Sequence, residues 1–400
     1  MSVWDALVGQ DDVIAQLQHA VQDAEQLLRG EPGPAMTHAW LFTGPPGSGR
    51  STAATSFAAA LECPEHGCGL CTICRMTASG GTLDVDIVTP DKLTYSVDEA
   101  RELVRNSVLA PQASPWHIVV VEDVDRLTEQ AANALLKSFE EPPPHTVWLL
   151  CAPSVEDVLP TIRSRARHVS LRTPSTSDVS RALQERYGVD SAIAAFAARA
   201  SQGHIGRARA LATDEQARIR RQETLRTPFE LGDLPACAFA AANLVDAAND
   251  DAKSITDRLD ATELAEFDEA YGASAEGITK AKFNRIVAKP RKELEAAQKS
   301  RRTRMLRDQL DRALVDLVGL YRDVFAVQVD ASVDLINEEM RPQIAQLAAN
   351  STPEQSGLRI EAIERARQSV RANVTPLLAI EALMVELKDP HLRAAAGIAG

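Results

Sequence analysis

The stretch HAWLFTGPPGSGRS, which spans residues 38–51, decides the fold of the first part of this chain. Residues 38–42 form an apolar run that predicts a buried strand, and an Ala-rich helix is predicted from Ser51 to Leu61. Between strand and helix, glycines let backbone N–H groups turn inward near a helix N-terminus, where anions bind. This strand–loop–helix order predicts a phosphate-binding loop.

The residues of the expected nucleotide site lie in this loop and after a later strand. They are Gly44, Gly47, Gly49, Arg50, Ser51, Glu122 and Asp123. Arg50 stands where a Lys is usual, and a long, forked guanidinium does not replace a compact ammonium in a close-fitting loop. The sequence therefore leaves nucleotide binding open and disfavours hydrolysis.

Glu122 and Asp123 directly follow an apolar strand, as do the acids that hold Mg²⁺ and polarise water in P-loop ATPases. The usual order is Asp and then Glu, and here it is reversed. Because Asp is shorter, Asp123 would leave the base too far from the attacking water, and about 1 Å of misplacement can cost roughly a hundredfold in rate. The alternative is a pair of solvated acids at a strand end, which the preceding apolar residues disfavour.

Three more runs, at residues 82–88, 117–121 and 146–151, predict further strands. An amphipathic helix is predicted to open at Leu127-Thr128 and to stop at Pro142–Pro144. Strands that alternate with helices predict an α/β fold with a parallel sheet covered on both faces.

No convincing strand is predicted after residue 173, so the remainder is expected to be helical. The strongest helix is predicted from Glu293 to Val327. Its apolar stripe comprises Leu306, Leu310, Leu314, Leu317, Tyr321 and Val324. The expected domains are residues 1–172, 173–228 and 229–400.

Four of the six cysteines form a C-x4-C-x2-C-x2-C pattern within residues 63–74. They are Cys63, Cys68, Cys71 and Cys74. Four thiolates at this spacing can surround Zn²⁺, and zinc is the preferred interpretation in a reducing compartment. An iron–sulfur cluster and two disulfides are the alternatives. His66 is a further potential ligand, for which a four-Cys site leaves no vacancy.

The composition restricts the function classes. The chain has 400 residues and a net charge of −13, whereas a protein that binds nucleic acid over its whole surface is usually basic. No apolar run approaches the roughly 20 residues of a membrane helix, and the N-terminus lacks a signal-peptide pattern. We therefore expect a cytoplasmic protein without a membrane partner.

Several segments resemble those of one bacterial family. AANALLKSFEEPP at residues 131–143, IRSRAR at residues 162–167 and LVGQ at residues 7–10 accompany the cysteine pattern, which is inserted after the loop helix. Together they resemble the AAA+ clamp-loader subunits of bacterial DNA polymerase III, and among them the delta-prime group. The resemblance is specific over residues 1–172 and looser beyond.

The resemblance implies an AAA+ module with a zinc insertion, a helical lid and a C-terminal collar. Family members form a pentameric ring of delta, three tau/gamma and one delta-prime subunit, which opens the sliding clamp and places it on primer-template DNA. The delta-prime member is usually stationary and does not hydrolyse ATP.

The resemblance further implies an arginine finger that acts in trans, matched here by Arg165 with Ser164. Arg163 and Arg167 are close competitors for that role. Two other positions depart from active relatives, which place a polar residue at Ala152 and an Arg at Gly206. These departures favour a subunit that does not hydrolyse ATP.

The sequence leaves two alternative functions open. One is an active ATPase of the same superfamily, and another is a nucleic-acid-binding knuckle at the cysteines, which residues 63–74 disfavour because they contain no Lys, Arg or aromatic residue. The run from Lys280 to Arg307 contains eleven Lys or Arg residues. We interpret it as a solvated helix face rather than a phosphate contact.

Overall fold

The computed structural model describes residues 2–90, 94–270, 280–372 and 374–392. The chain divides into two compact units, Met1–Asp214 and Glu215–Gly400. Among the described residues, no helix combines the length and the apolar character that crossing a membrane requires.

The first unit contains a five-stranded parallel sheet with the strand order β2-β3-β4-β1-β5. The strands are β1 (Ala39–Thr43), β2 (Val85–Val88), β3 (His117–Val121), β4 (Thr146–Ala152) and β5 (Arg167–Ser170). The first four confirm the predicted strands, with β2 shorter than its run. Strand β5 was not predicted, because only Val169 of its four residues is buried and no apolar run marks it.

Helices cover both faces of this sheet, as predicted. They are α1 (Asp11–Leu28), α2 (Arg50–Glu62), α3 (Thr72–Ser79), α4 (Val97–Ser107), α5 (Glu129–Glu140) and α6 (Pro160–Arg163). The central strand β1 shows why its sequence is continuously apolar: Trp40 and Phe42 pack in one core, and Ala39 and Leu41 pack in the other.

Helix α5 lies where it was predicted. The hydroxyl of Thr128 accepts a hydrogen bond from the N–H of Ala131 and caps the N-terminus of the helix. The helix ends at Glu140, just before the prolines, because a residue that precedes proline disfavours helical backbone. Its buried Phe139 meets Trp148 of β4 edge-on, with the ring centroids 5.1 Å apart.

Among the described residues, three further small α-helices lie in the first unit and six α-helices lie in the second. The small helices are α7 (Thr176–Tyr187), α8 (Ser191–Ser201) and α9 (Ile205–Thr213). The second unit comprises α10 (Glu215–Arg226), α11 (Leu234–Ala270), α12 (Lys280–Gln328), α13 (Arg341–Ala349), α14 (Pro353–Arg371) and α15 (Pro376–Lys388).

The compact units place α10 differently from the predicted domain boundaries. Residues 173–228 were expected to form one domain, yet α10 groups with the second unit. Its buried Arg221 forms ion pairs with Asp316 (2.9 Å) and Glu339 (3.0 Å), and it donates to Asn337. The division at residues 172 and 228 otherwise stays a prediction.

Helix α12 contains the predicted strong helix and extends beyond it at the N-terminal end. Within its stripe, Leu306 is half-buried and the remaining five residues are buried, namely Leu310, Leu314, Leu317, Tyr321 and Val324.

The basic run at the start of α12 is not simply a solvated face. Arg301 binds Asp260 (2.6 Å) and Glu263 (2.6 Å) of α11, and Arg302 binds Asp257. Acidic residues of α11 therefore neutralise part of the run. The side chains of residues 280–286 lie outside the part of the chain that the structure describes.

Candidate functional site

The predicted phosphate loop joins β1 to α2, and its three glycines are each required by a turn or a close approach. Gly47 and Gly49 have φ values of 86° and 90°, which favour glycine. A Cβ at Gly44 would lie 2.4 Å from Ser48 Oγ, and a Cβ at Gly47 would lie 2.7 Å from His204 Cα. Since His204 caps the N-terminus of α9, the small helices pack directly against this loop.

Arg50 lies within the loop and is bound by groups of the chain itself. Its Nη1 donates to the carbonyl of Gly44 (2.9 Å), and its Nη2 lies 3.4 Å from Asp123 Oδ1. The side chain is only 17% exposed, and its Nε is buried without a hydrogen-bond partner among the described residues. The positive charge of the loop is therefore directed at its first carbonyl and at the acid after β3.

The two acids after β3 have different partners. Glu122 Oε2 accepts a hydrogen bond from Ser51 Oγ (2.7 Å). Burial raises the pKa of the Glu122 carboxyl, and the Ser51 hydrogen bond offsets part of this effect. Asp123 has φ 49° and pairs with Arg126 (3.0 Å) as well as with Arg50. The structure thus brings all the predicted loop and acid residues together, with the reversed acids serving separate partners.

Sequence reasoning missed two groups beside these acids. Buried Tyr95 donates its hydroxyl to the carbonyl of Glu122 (2.7 Å) and so fixes the backbone at the end of β3. Burial strongly raises the pKa of the Cys151 thiol, which lies against Glu122. Tyr95 is placed beside Glu122 by its bridge to Leu127, which is distant in sequence, so no local pattern indicates the contact.

The structure also shows the surroundings of Ala152 and Gly206, the two positions at which the sequence departs from active relatives. Ala152 ends β4 and pairs with Thr43, so an apolar methyl side chain stands at that strand end. Gly206 and Arg207 are in the first turn of α9, and Arg207 is buried.

The four clustered cysteines converge as predicted. Their Sγ atoms all lie within 4.8 Å of one another, with Cys63 3.7 Å from Cys68 and 3.8 Å from Cys71. A tetrahedron with Zn–S bonds of about 2.3 Å has edges of about 3.8 Å, so the donor set fits this metal. Among the described residues all six cysteines are free thiols, and these separations are far longer than a disulfide bond of about 2.05 Å.

The backbone around the cysteines favours thiolate ligands. Cys71 N–H donates to Cys68 Sγ (3.4 Å), and Cys74 N–H donates to Cys71 Sγ (3.4 Å). Burial alone would raise the pKa of Cys63, but N–H groups from Cys68, Gly67 and Glu65 lower it to about 7. Burial raises the pKa of Cys74.

The cysteine segment is anchored to the N-terminus of the chain. Val3 N–H donates to the carbonyl of Gly67 (3.0 Å), and the indole of Trp4 donates to the carbonyl of His66 (3.3 Å). The His66 ring is paired with Glu25 (3.4 Å), so it is not part of the sulfur cluster. The role of the N-terminal residues had no signal in the sequence.

Arg165 follows the short helix α6 and is partly exposed. Its Nη1 donates to the carbonyl of Thr161 (2.8 Å) and lies 3.2 Å from Ser164 Oγ, and its Nη2 forms an ion pair with Glu140. Of the competing arginines, Arg163 is exposed. The other, Arg167, donates to the carbonyl of Ala35 and lies 5.3 Å above the Trp40 ring. Arg167 is therefore engaged by its own domain.

Comparisons with known proteins show which proteins the first part of the chain is similar to. Residues 18–175 match the protein family described as "DNA polymerase III, delta subunit". The gamma/tau subunit of DNA polymerase III from Mycobacterium bovis is 35% identical over 210 residues, which cover 49% of this chain and 34% of that protein. The delta' subunit from Pseudomonas aeruginosa is 37% identical over 134 residues, 32% of this chain and 41% of that protein.

The similarity is confined to part of each relative, because the chain spans about a third of the length of the gamma/tau subunit. A DNA polymerase III gamma subunit-related protein from Thermotoga maritima, whose structure is solved, aligns over 94% of this chain and 99% of its own. Its sequence identity is 16% and its TM-score is 0.44. In sequence, residues 18–175 are similar to subunits of bacterial DNA polymerase III.

Proposed function

We propose that this chain is a delta-prime-type subunit of a bacterial clamp loader, which works in the cytoplasm and does not hydrolyse ATP. In this proposal its helical C-terminal part joins a ring with delta and tau/gamma subunits, and the ring loads the sliding clamp onto primed DNA. The observation that carries the proposal is Arg50, whose guanidinium is bound by the loop's own carbonyl and by Asp123.

The contacts of Arg50 argue against turnover. Phosphoryl transfer depends on a loop cation and Mg²⁺ that neutralise the β- and γ-phosphates. Here the loop cation is committed to Gly44 and Asp123, and Asp123 is further paired with Arg126. Nucleotide would have to displace these contacts, so we propose that it binds weakly and is not hydrolysed.

We propose that Arg165 is the group through which this subunit contributes to catalysis. A guanidinium placed at the phosphate of a neighbouring ATP stabilises the charge that develops in the transition state. Arg165 is partly exposed and close to the surface helix α6, whereas Arg167 is held on Trp40. Both arginines are bound by groups of their own domain, so the choice of Arg165 over Arg167 rests on the resemblance of the Ser164-Arg165 pair to the family motif.

We propose Zn²⁺ as the resident metal, held by Cys63, Cys68, Cys71 and Cys74. The ion would fix the segment between α2 and α3 and stabilise it locally. The sulfur separations and the N–H donors to sulfur support this assignment, and metal analysis is its test. Iron with visible absorbance near about 400 nm would contradict it.

The first experiment measures ATP hydrolysis by the purified chain. We expect no activity above background. A turnover on the order of 1 s⁻¹ would instead identify an active ATPase.

The second experiment tests the finger in a complex reconstituted with tau/gamma and delta subunits. Arg165→Ala should assemble normally and lower DNA-stimulated hydrolysis at the adjacent site by about 10³–10⁵. Arg165→Lys should rescue little, because an ammonium does not reproduce the fork. Arg163→Ala and Arg167→Ala are the controls, and a defect that follows Arg167 would refute the assignment.

An active subunit of the tau/gamma type is the second candidate. It is favoured by the Ser51–Glu122 hydrogen bond of 2.7 Å, which keeps a hydroxyl and a carboxylate together at the mouth of the loop. It is also favoured by the relatives named gamma/tau. The hydrolysis assay on the isolated chain separates the two candidates.

A further inference from the structure

Arg165 is held against its own domain in this structure. Thr161 and Ser164 accept hydrogen bonds from its Nη1, and Glu140 pairs with its Nη2. We propose that Glu140 is a positioning residue, which retains Arg165 on its own subunit until a phosphate of the neighbouring site displaces it. This inference rests on the proposed role of Arg165 as a finger.

The retaining contact lies where two helices end. Glu140 is the last residue of α5, and Thr161 belongs to α6, which ends at Arg163, two residues before Arg165. A carboxylate at a helix C-terminus is disfavoured by the helix dipole, whereas a cation there is favoured. The Arg165 guanidinium therefore stabilises the C-terminal ends of both α5 and α6. Both interactions favour its position against its own domain.

The Glu140–Arg165 ion pair is weak enough to be exchanged for another partner. The Glu140 side chain is 48% exposed and that of Arg165 is 34% exposed, so water and salt screen their attraction. Exposed ion pairs shift an equilibrium by up to about fivefold, or about 1 kcal/mol. A phosphate accepts two parallel hydrogen bonds from a guanidinium and carries more charge than a carboxylate. The phosphate therefore displaces Glu140. Before ATP and DNA are in place, the Glu140 ion pair determines the fraction of time for which Arg165 is extended.

Glu141 provides a matched control. It is the next residue along the chain, it is exposed, and it carries the same charge at the same helix end. Substitution of Glu141 by Gln changes the local charge as much as substitution of Glu140, while the Arg165 ion pair stays in place.

The experiment uses the full chain in a complex reconstituted with tau/gamma and delta subunits, and it measures ATP hydrolysis with and without primed DNA. Glu140→Gln should raise the rate without DNA by about twofold to fivefold. It should leave the DNA-stimulated rate within about twofold, because the phosphate has already displaced Glu140 in that state. Glu141→Gln should leave both rates unchanged.

A double variant excludes a merely structural role. In an Arg165→Ala background, Glu140→Gln should have no further effect, whereas a structural effect of Glu140 would persist there. An equal rise in Glu141→Gln, or no rise in Glu140→Gln while Arg165→Ala abolishes stimulation, would overturn the retaining role and leave the finger intact. If Arg165→Ala leaves stimulation unchanged, the finger itself is wrong and the retaining role falls with it.

Discussion

Helix α2 begins at the phosphate loop and leads at its other end into the cysteine cluster, so the two ends can be compared directly. At the N-terminal end, Arg50 and Ser51 are bound by a carbonyl and two acids of the same chain. At the C-terminal end, four sulfurs converge at the spacing of a metal tetrahedron. The difference teaches that convergent polar groups can neutralise one another's charge, as at the loop, or can present several sulfurs at one point, where we propose a metal.

The largest expected effect is at the cysteine end. Cys71→Ser should abolish metal binding and destabilise the segment around residues 63–79 by at least about 3 kcal/mol, because the metal supplies much of its folding free energy. Elemental analysis and hydrogen exchange of this segment would measure both effects. His66→Ala is the control and should retain one metal per chain, since His66 pairs with Glu25 instead. Equal metal loss in both variants would contradict the four-Cys assignment.

The next effect concerns the loop itself. Gly47→Ala should lower the free energy of unfolding of the first unit by about 2–3 kcal/mol, because the new Cβ would meet His204 and the backbone has a positive φ. Gly49→Ala is matched in φ but has no atom within 4 Å of the new Cβ. It should therefore cost only about 1–2 kcal/mol from backbone strain. Denaturant unfolding would compare the two, and equal losses would show that the His204 contact is unimportant.

A smaller effect is expected from the acid that binds Ser51. Burial raises the pKa of the Glu122 carboxyl in the folded protein, so its protonated form is favoured in the fold. This contribution is fully present below the unfolded pKa and is lost as pH rises through the folded pKa. Glu122→Gln should therefore flatten the decline in stability above about pH 4.5. Thermal unfolding of wild type and variant across pH 4–8 would measure the difference, and parallel curves would contradict it.

The smallest expected effect is none at all. Arg50→Lys should not create ATP hydrolysis above background, because Asp123 remains paired with Arg126 and Ala152 still ends β4. The same assay that is used for the wild-type chain applies. Measurable turnover in this variant would show that Arg50 alone prevents ATP hydrolysis at the N-terminal end of α2.

Much of the fold could be predicted because its signals are contiguous in the sequence. Strands β1, β3 and β4 are continuous apolar runs, since helices cover both faces of each. Strand β5 was missed because it lies at the sheet edge and buries only Val169. An edge strand of four residues with one covered side chain leaves no periodic pattern to detect.

The candidate site likewise contains parts that the sequence predicts and parts that it does not. The loop and the cysteines are local motifs, and the structure brings each set together as expected. The contacts of Tyr95 with Glu122 and of Glu140 with Arg165 join residues 27 and 25 positions apart. Such pairs depend on which strands and helices are neighbours, which no local motif indicates.

The buried Arg221 cluster bears on how the chain can be dissected by proteolysis or expressed in parts. A C-terminal fragment that starts at Glu215 keeps Arg221 with Asp316, whose side chains are 5% and 7% exposed. A fragment that starts at residue 229, where the sequence suggested a boundary, loses α10 and with it the cation that pairs with Asp316. Breaking a buried pair in this way costs about 3–5 kcal/mol. The shorter fragment would therefore be the less stable one, although it omits only fourteen residues, 215–228.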